Sequence, residues 1–162
     1  HLDYVGVKTF DARGRISGER RFIGLWTSTA YSSSPRDIPV LRHKIQRVVS
    51  HFGLSPASHD GKAVAHALDV YPRDELFQAS VPDLVRIIRG IVNLYERAEV
   101  RLFLRRDAFR RFFTLLLYVP RDRYNTQVRQ RIERIATEAL GGLAIESQVQ
   151  LSQSVLVRLY ML

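Results

Sequence analysis

The first 28 residues alternate hydrophobic and polar positions at the period of two that is typical of β-strands. We predict one strand over Asp3–Phe10 and another over Arg20–Ser28. The segment between them, Asp11–Glu19, is rich in Gly and turn-forming polar residues, which favours a long connecting loop. The pattern therefore predicts a β-hairpin, and we expect it to be the last part of a sheet whose earlier strands precede residue 1. A polar, Ser-rich segment then leads away from it.

From Asp37 onward the hydrophobic period changes to that of amphipathic helices. We predict a first helix with Asp37 as its N-cap and Gly53 as its stop, and a second over Ser58–Tyr71 that ends at Pro72. Ser80-Val-Pro-Asp83 has the spacing of a capping box, with Pro in the first turn, and begins a third helix that continues through Tyr95. Three successive helices predict a helical connector.

The third block begins at Glu99 and mixes both periods. We predict a half-exposed strand at Val100–Arg105, a turn at Asp107–Arg110 and a central strand at Phe112–Val119, which is apolar on both faces. A helix capped by Asn125 or Thr126 and ended by Gly141-Gly142 follows, and then strands around residues 143–151 and 155–162. The predicted inward face of that helix is Val128, Ile132, Ile135, Ala136, Ala139 and Leu140. This order describes an α+β plait, an antiparallel sheet with helices on one side.

Composition bounds the class of protein. The 162 residues are 46% hydrophobic, enough for a buried core, and no apolar run approaches the length of a membrane span. The absence of cysteine excludes disulfides and thiolate metal sites and fits a cytoplasmic protein. Because the chain lacks an initial Met and stops within a predicted strand, we expect it to be an excised piece of a longer protein.

The net charge of +9 is concentrated in one segment. Arg97–Arg134 contains eleven arginines against four carboxylates, a surplus of seven. Such a surface suits phosphate, and arginines with interleaved aromatics suit single-stranded nucleic acid, so a basic nucleic-acid-binding module is an alternative function. We favour the simpler interpretation that the arginines face either acidic neighbouring domains of a longer protein or solvent, and the sequence leaves open which of the two.

No residue pattern predicts a catalytic, cofactor-binding or metal site. Asp74 and Glu75 are adjacent, and neighbouring helix positions point apart. Ser32–Ser34 lacks a nucleophile context, and no glycine pattern forms a dinucleotide fingerprint. Pro-Arg-Asp occurs three times, and we interpret it as a boundary at which Pro ends one element and Asp caps or turns into the next. The histidines lack carboxylates at metal-ligand spacing; they are His1, His43, His51, His59 and His66.

Four segments, in order, resemble the very large NAD-dependent glutamate dehydrogenases of bacteria. They are YVGVKTFDARGRISGERRFIGLWTSTAYSSSPRDIPVLRHKI (Tyr4–Ile45), DVYPRDELFQ (Asp69–Gln78), VRLFLRRDAFRRF (Val100–Phe112) and LYVPRDRYNTQVRQRIERI (Leu117–Ile135). The combination is specific, although a single Pro-Arg-Asp is not. One departure lies at the hairpin tip, where the family pattern Pro-Phe-Gly-Arg-Phe is replaced by Ala108-Phe109-Arg110-Arg111-Phe112, which makes a tight turn costlier.

The resemblance implies the organisation and role of the chain. Residues 1–34 are expected to finish a PAS-like sheet, 35–98 to form a helical connector and 99–162 to form an ACT-like (ferredoxin-like) ββαββ domain. The implied function is a non-catalytic regulatory or assembly segment of an oxidoreductase of amino-acid catabolism, with NAD bound elsewhere in the parent and no cofactor in this fragment. The implied partners are other domains and subunits in a homo-oligomer, and an effector such as an amino acid, which makes an amino-acid-sensing ACT-type domain a second alternative.

Overall fold

The computed structural model describes residues 2–151 and 154–162, so His1 lies outside the described residues. The chain begins with an antiparallel hairpin of β1 (Asp3–Phe10) and β2 (Ile16–Gly24). The loop is shorter than predicted because the carboxylate of Asp11 accepts hydrogen bonds from the backbone N–H groups of Arg13 and Arg15, which tightens the turn. The hairpin forms a two-stranded sheet of its own, and large apolar side chains on both of its faces are exposed.

The chain is mainly helical from Ser28 to Glu96. Two of the helices have only five and six residues, too few to produce a recognisable helical period in the sequence. Ser80 caps the helix α5 (Val81–Glu96) as predicted, its side chain accepting from the N–H of Asp83, and Ser58 also caps the helix α3 (His59–Asp69), accepting from Gly61. Asp37 is not the N-cap of the first long helix, α2 (Pro39–Phe52); Ile38 holds that position, and Pro39 has no N–H to be capped. The helices are α1 (Ser28–Ser32), α2 (Pro39–Phe52), α3 (His59–Asp69), α4 (Arg73–Gln78) and α5 (Val81–Glu96).

The last block is an antiparallel sheet with one long helix, which confirms the α+β class. Its strands are β3 (Arg101–Arg106), β4 (Phe113–Pro120), β5 (Ser147–Gln150) and β6 (Leu156–Met161). Their order in the sheet is β3-β4-β6-β5, with the strand pairs β3–β4 and β5–β6 both adjacent in the chain. Asn125 caps the helix by accepting from the N–H of Val128, and Gly141 ends it in a left-handed conformation. Between β4 and β5 lie a 3-10 turn (Arg121–Arg123) and this helix, α6 (Thr126–Leu140).

Both faces of this sheet are covered, whereas the sequence predicts helices on one side. Leu116 and Tyr118 of β4 join the hydrophobic core of helices α2–α5. Leu115, Leu117 and Val119, which point to the opposite face, form a second core with α6 and β6. The apolar character of β4 on both faces follows from this arrangement, because each face lies against a different helical layer.

The buried stripe of α6 is narrower than predicted. Ala136 is buried, and Ile132 and Leu140, four residues to either side, pack against the second core. Ile135 and Ala139 are exposed, which contradicts their predicted inward position. Each precedes a stripe position by one residue, a rotation of about 100° around the helix.

Helix α5 approaches the sheet closely at Gly90. A Cβ atom built on Gly90 would lie 2.5 Å from Cε1 of Phe103 in β3. That ring is buried and meets the ring of Tyr118 edge-on, with centroids 6.2 Å apart, so it has little space into which to move. A glycine within a helix costs stability, and here the cost is offset by close contact between α5 and β3.

We predict that Gly90→Ala destabilises the chain by about 1–2 kcal/mol, because overpacking of Phe103 outweighs the gain in helix propensity. Chemical denaturation measures the change in the free energy of unfolding. Gly24→Ala is the matched control, since the added methyl group meets nothing within 4 Å. A Gly90→Ala variant as stable as the parent chain would contradict the packing argument.

Candidate functional site

Short helix α4 lies where the hairpin exit, the helical bundle and the four-stranded sheet meet. Pro72 ends the preceding segment and occupies the N-cap position of α4. The side chains or carbonyl groups of α4 then contact a different neighbour at nearly every position. We call this set of contacts the α4 junction, and its central residue is Glu75.

The strongest contact of the α4 junction is a buried ion pair between Glu75 and Arg105 of β3. Arg105 donates from Nε to Oε2 at 2.8 Å and from Nη2 to Oε1 at 2.5 Å, which makes the pair bidentate. Glu75 is 3% exposed and Arg105 8%. Thr114 of β4 donates a further hydrogen bond to Oε2 at 3.1 Å, and Gln78 accepts one from Arg105. Two strands are therefore bonded to α4 through one carboxylate.

This buried pair shapes the electrostatics around it. The hydrogen bonds to Glu75 raise the pKa of the Arg105 guanidinium, which keeps that group charged. Burial, followed by the charge of Glu75, raises the pKa of the Tyr71 and Tyr160 hydroxyls. Both phenols stay protonated at neutral pH, so neither hydroxyl is prepared to act as a base.

Lys44 of α2 binds the carboxyl end of α4. Its Nζ donates to the carbonyl oxygens of Leu76, Phe77 and Ala79 at 2.9, 2.7 and 3.0 Å. Burial, together with the nearby positive charge of Arg105, lowers the pKa of this ammonium group. A cation at a helix C-terminus satisfies carbonyl groups that have no partner within the helix. Lys44 thereby fixes α2 to α4.

The segment that follows the first hairpin also contacts α4. The ring of Trp26 stacks on that of Phe77 with centroids 4.6 Å apart and an angle of 6° between the planes. The hydroxyl of Tyr31 donates to Asp74 at 3.0 Å, and burial raises its pKa to about 12. Arg73 donates to the carbonyl of Ser33 at 2.9 Å. The hairpin is thus linked to the rest of the chain through α4.

Sequence reasoning missed most of the α4 junction. It placed Asp74 and Glu75 apart, and they do bind different partners, Tyr31 and Arg105. It interpreted Pro72-Arg73-Asp74 as a boundary between two elements, which accounts for Pro72 but not for the contacts of Arg73 and Asp74. The available signal for these contacts was the density of polar side chains in DVYPRDELFQ. The helix within this segment has only six residues, which are too few to show a helical period.

We predict that Glu75→Leu destabilises the chain by about 3–5 kcal/mol, because Arg105 stays buried without its counter-charge. The double variant Glu75→Leu/Arg105→Met should recover most of this loss, since no buried charge remains. Denaturant unfolding of the single and double variants measures the coupling. The control is Glu99→Gln, which removes the exposed pair with Arg101 and should change stability by less than about 1 kcal/mol. Equal losses in the single and double variants would contradict the argument.

The tip of the β3–β4 hairpin is a second cluster, organised by Asp107. This residue is buried, and its carboxylate accepts hydrogen bonds from the backbone N–H groups of Phe109 and Arg111 and from the Arg111 side chain at 2.9 Å. Arg110 has a φ of 59°, the left-handed conformation that favours glycine. It occupies the position at which the family pattern has glycine. The bonds to Asp107 hold the turn despite that substitution.

Arginine and aromatic side chains alternate around this tip. The guanidinium of Arg111 lies 5.3 Å from the ring centroid of Phe109 and 5.4 Å from that of Phe112. Arg106 lies 5.4 Å from the ring centroid of Phe113. Phe109 nevertheless remains 80% exposed. The tip therefore presents an exposed phenyl group beside several positively charged guanidinium groups.

We predict a pH-dependent contribution of Asp107 to stability. The hydrogen bond and charge of Arg111 lower the pKa of Asp107 from 3.8 to about 2. Because the folded pKa lies below the unfolded one, the carboxylate stabilises the fold above about pH 4, and this contribution is lost as the pH falls towards 2. The difference in unfolding free energy between the parent chain and Asp107→Asn should shrink from pH 5 to pH 2.5. A difference that stays constant over this interval would rule out the ion pair as its source.

The other sequence candidates do not assemble into a reactive site. His43 and His51 line one open cleft on the outer face of α2, and the ring of His66 lies 6.5 Å from that of Tyr95. Within residues 2–151 and 154–162, no group of three or more His, Asp or Glu side chains could hold a metal ion. In the same ranges, no helix is long and apolar enough to cross a bilayer.

Comparison with known proteins identifies the two blocks that meet at Glu75 and Arg105. Residues 38–97 match the family model described as glutamate dehydrogenase, helical motif 1, and residues 101–162 match the one described as glutamate dehydrogenase, ACT2 domain. The fold is thus a helical motif joined to an ACT domain.

The chain is similar to a short part of several much longer proteins. The chain is 43% identical over 157 residues to the NAD-specific glutamate dehydrogenase of Halomonas elongata, and 42% identical over 156 residues to that of Pseudomonas aeruginosa. These matches cover 97% and 96% of the chain but 10% of each relative. The protein of the same name in Mycobacterium tuberculosis is 33% identical over 136 residues, which are 84% of the chain and 8% of that protein. The chain belongs to the family of NAD-specific glutamate dehydrogenases and spans about a tenth of the length of these relatives.

Proposed function

We propose that this chain is a regulatory or assembly segment of a large NAD-dependent glutamate dehydrogenase and has no catalytic residues of its own. The reaction of the whole protein would convert L-glutamate, NAD and water to 2-oxoglutarate, ammonium and NADH, with NAD bound outside this segment. The observation that carries the proposal is the α4 junction. Its buried carboxylate is fully engaged in structural bonds to Arg105 and Thr114, as expected for a contact that positions domains rather than reacts.

We further propose the division of the chain. Residues 1–34 would end a PAS-like sheet, residues 35–98 would form the connector and residues 99–162 the ACT-like domain. Support for the first boundary comes from β1 and β2, because an isolated two-stranded hairpin is marginally stable and leaves its apolar faces uncovered. Further strands or a packed neighbour would complete it.

The finer regulatory proposal concerns an effector and an assembly. A cytoplasmic homo-oligomer in which the ACT-like domain responds to an amino acid is consistent with the match to an ACT2 domain. No residue of the chain is assigned to the effector. In the α4 junction the carboxylate of Glu75 is already bonded to Arg105 and Thr114, whereas Nε and Nη1 of Arg73 are buried without a hydrogen-bond partner among the described residues.

We expect the purified 162-residue chain to form no NADH from L-glutamate and NAD, whereas a full-length enzyme carrying it does so under the same conditions. Absorbance at the NADH band measures both. In the full-length enzyme, an amino-acid effector should raise the melting temperature by mass action. Glutamate-dependent NADH formation by the chain alone would refute the proposal, and a screen of amino acids without any shift would remove the effector from it.

A further inference from the structure

The tip of the β3–β4 hairpin has the chemistry of a protein anchor. We define the basic tip as Arg106, Phe109, Arg110 and Arg111. Phe109 supplies the large exposed ring, and aromatic and Arg side chains are the types that contribute most binding energy at protein interfaces. The hydrogen bonds accepted by Asp107 keep this surface in one conformation before any partner arrives, which reduces the entropy lost on binding.

The backbone at Arg110 supports a role in binding. A non-glycine residue at a φ of 59° costs about 1 kcal/mol or more, and such conformations persist where the surrounding structure fixes them and tend to cluster at functional sites. Among the described residues, Arg110 has no ion-pair partner within 4 Å. Arg110 therefore places, at a strained backbone position, a guanidinium group that forms no ion pair within the described residues.

Charge decides the kind of surface that fits the basic tip. The chain has a net charge of +9, so a second copy would bring like charge to the interface. An acidic surface would be complementary. Single-stranded nucleic acid is the other polyanion, but it needs several open ring faces for stacking. Here each of the three rings has a guanidinium over one face, and Phe112 and Phe113 are only partly exposed, so Phe109 is the one largely exposed ring among the described residues of the tip.

We propose that the basic tip docks into an apolar pocket with an acidic rim on another part of the same long glutamate dehydrogenase. The proposal rests on the proposed function, because it takes the partner surface from the remainder of that enzyme. Nine-tenths of the length of the similar relatives lies outside the region that this chain matches, and covalent connection gives such a surface a high effective concentration. Phe109 enters the pocket, and Arg106 and Arg110 meet the rim.

The test is site-specific photo-crosslinking in the full-length enzyme. p-Benzoylphenylalanine is introduced in place of Phe109, and in place of Leu143 as a control for a fully exposed apolar side chain. Irradiation at Phe109 should give a crosslink to a distant segment of the enzyme that carries several Asp or Glu residues, identified by peptide mass spectrometry. A yield no higher than at Leu143, a crosslink to nucleic acid or a crosslink to a different protein would overturn the inference.

Charge variants separate the contact from mere proximity. Arg110→Gly removes the cation while keeping a residue that accepts the φ of 59°, so the turn is preserved. We expect the crosslink yield to fall with this variant and with added salt, and to fall at least about fivefold with Arg110→Glu. Arg131→Glu, on the exposed side of α6, is the matched control and should leave the yield unchanged. Insensitivity to Arg110→Glu would also overturn the proposal.

NADH formation is measured on the same preparations. A full-length enzyme that forms NADH normally but gives no specific crosslink contradicts the docking of the basic tip and leaves the proposed function standing. Formation of NADH by the isolated chain, in contrast, contradicts the proposed function directly. The two failures are therefore distinguishable.

Discussion

The arrangement of this chain depends on the cost of burying an ion pair. Glu75 and Arg105 are both almost inaccessible to water, and the loss of hydration is recovered only where the charges meet in good geometry and their remaining lone pairs and N–H groups are bonded. The bidentate contact, the hydroxyl of Thr114 and the amide of Gln78 supply those bonds. Such a pair adds little net stability, but it penalises every arrangement in which α4 is displaced from β3 and β4. The ion pair therefore determines where the helices lie on the sheet more than it stabilises their contact with the sheet.

The apolar contacts around the pair supply most of the attraction. Phe103, Leu116 and Tyr118 are buried against the helices, and Gly90 allows α5 to approach the sheet without a side chain between them. Hydrophobic contact is favourable in many registers, whereas the ion pair is favourable in one. The two kinds of interaction therefore have separate effects: the first brings the layers together and the second selects their alignment.

Regular elements with strong periodicity were predictable from the sequence, and contacts between distant elements were not. The spacing of Ser80 and Asp83, and the glycine at 141, mark helix ends because the capping interactions are local. Helix α4 was missed because its six residues form fewer than two turns and its position is set by tertiary contacts. The second helical layer on the sheet was missed for a similar reason, although the apolar residues on both faces of β4 already indicated it. At Arg110 the sequence indicated a costlier turn, but not that Asp107 would hold it.

Helix α4 is too short to persist in isolation, since a helix of this length does not recover the cost of its nucleation. It is ordered because Lys44 bonds its carboxyl end, Arg105 its carboxylate and Trp26 its aromatic side chain. Loss of any one of these neighbours removes part of the support on which the other two contacts also depend. We therefore expect the backbone of α4 to be helical only when the hairpin, the bundle and the sheet are all in contact with it. Local unfolding of these six residues would then report the detachment of any one of the three.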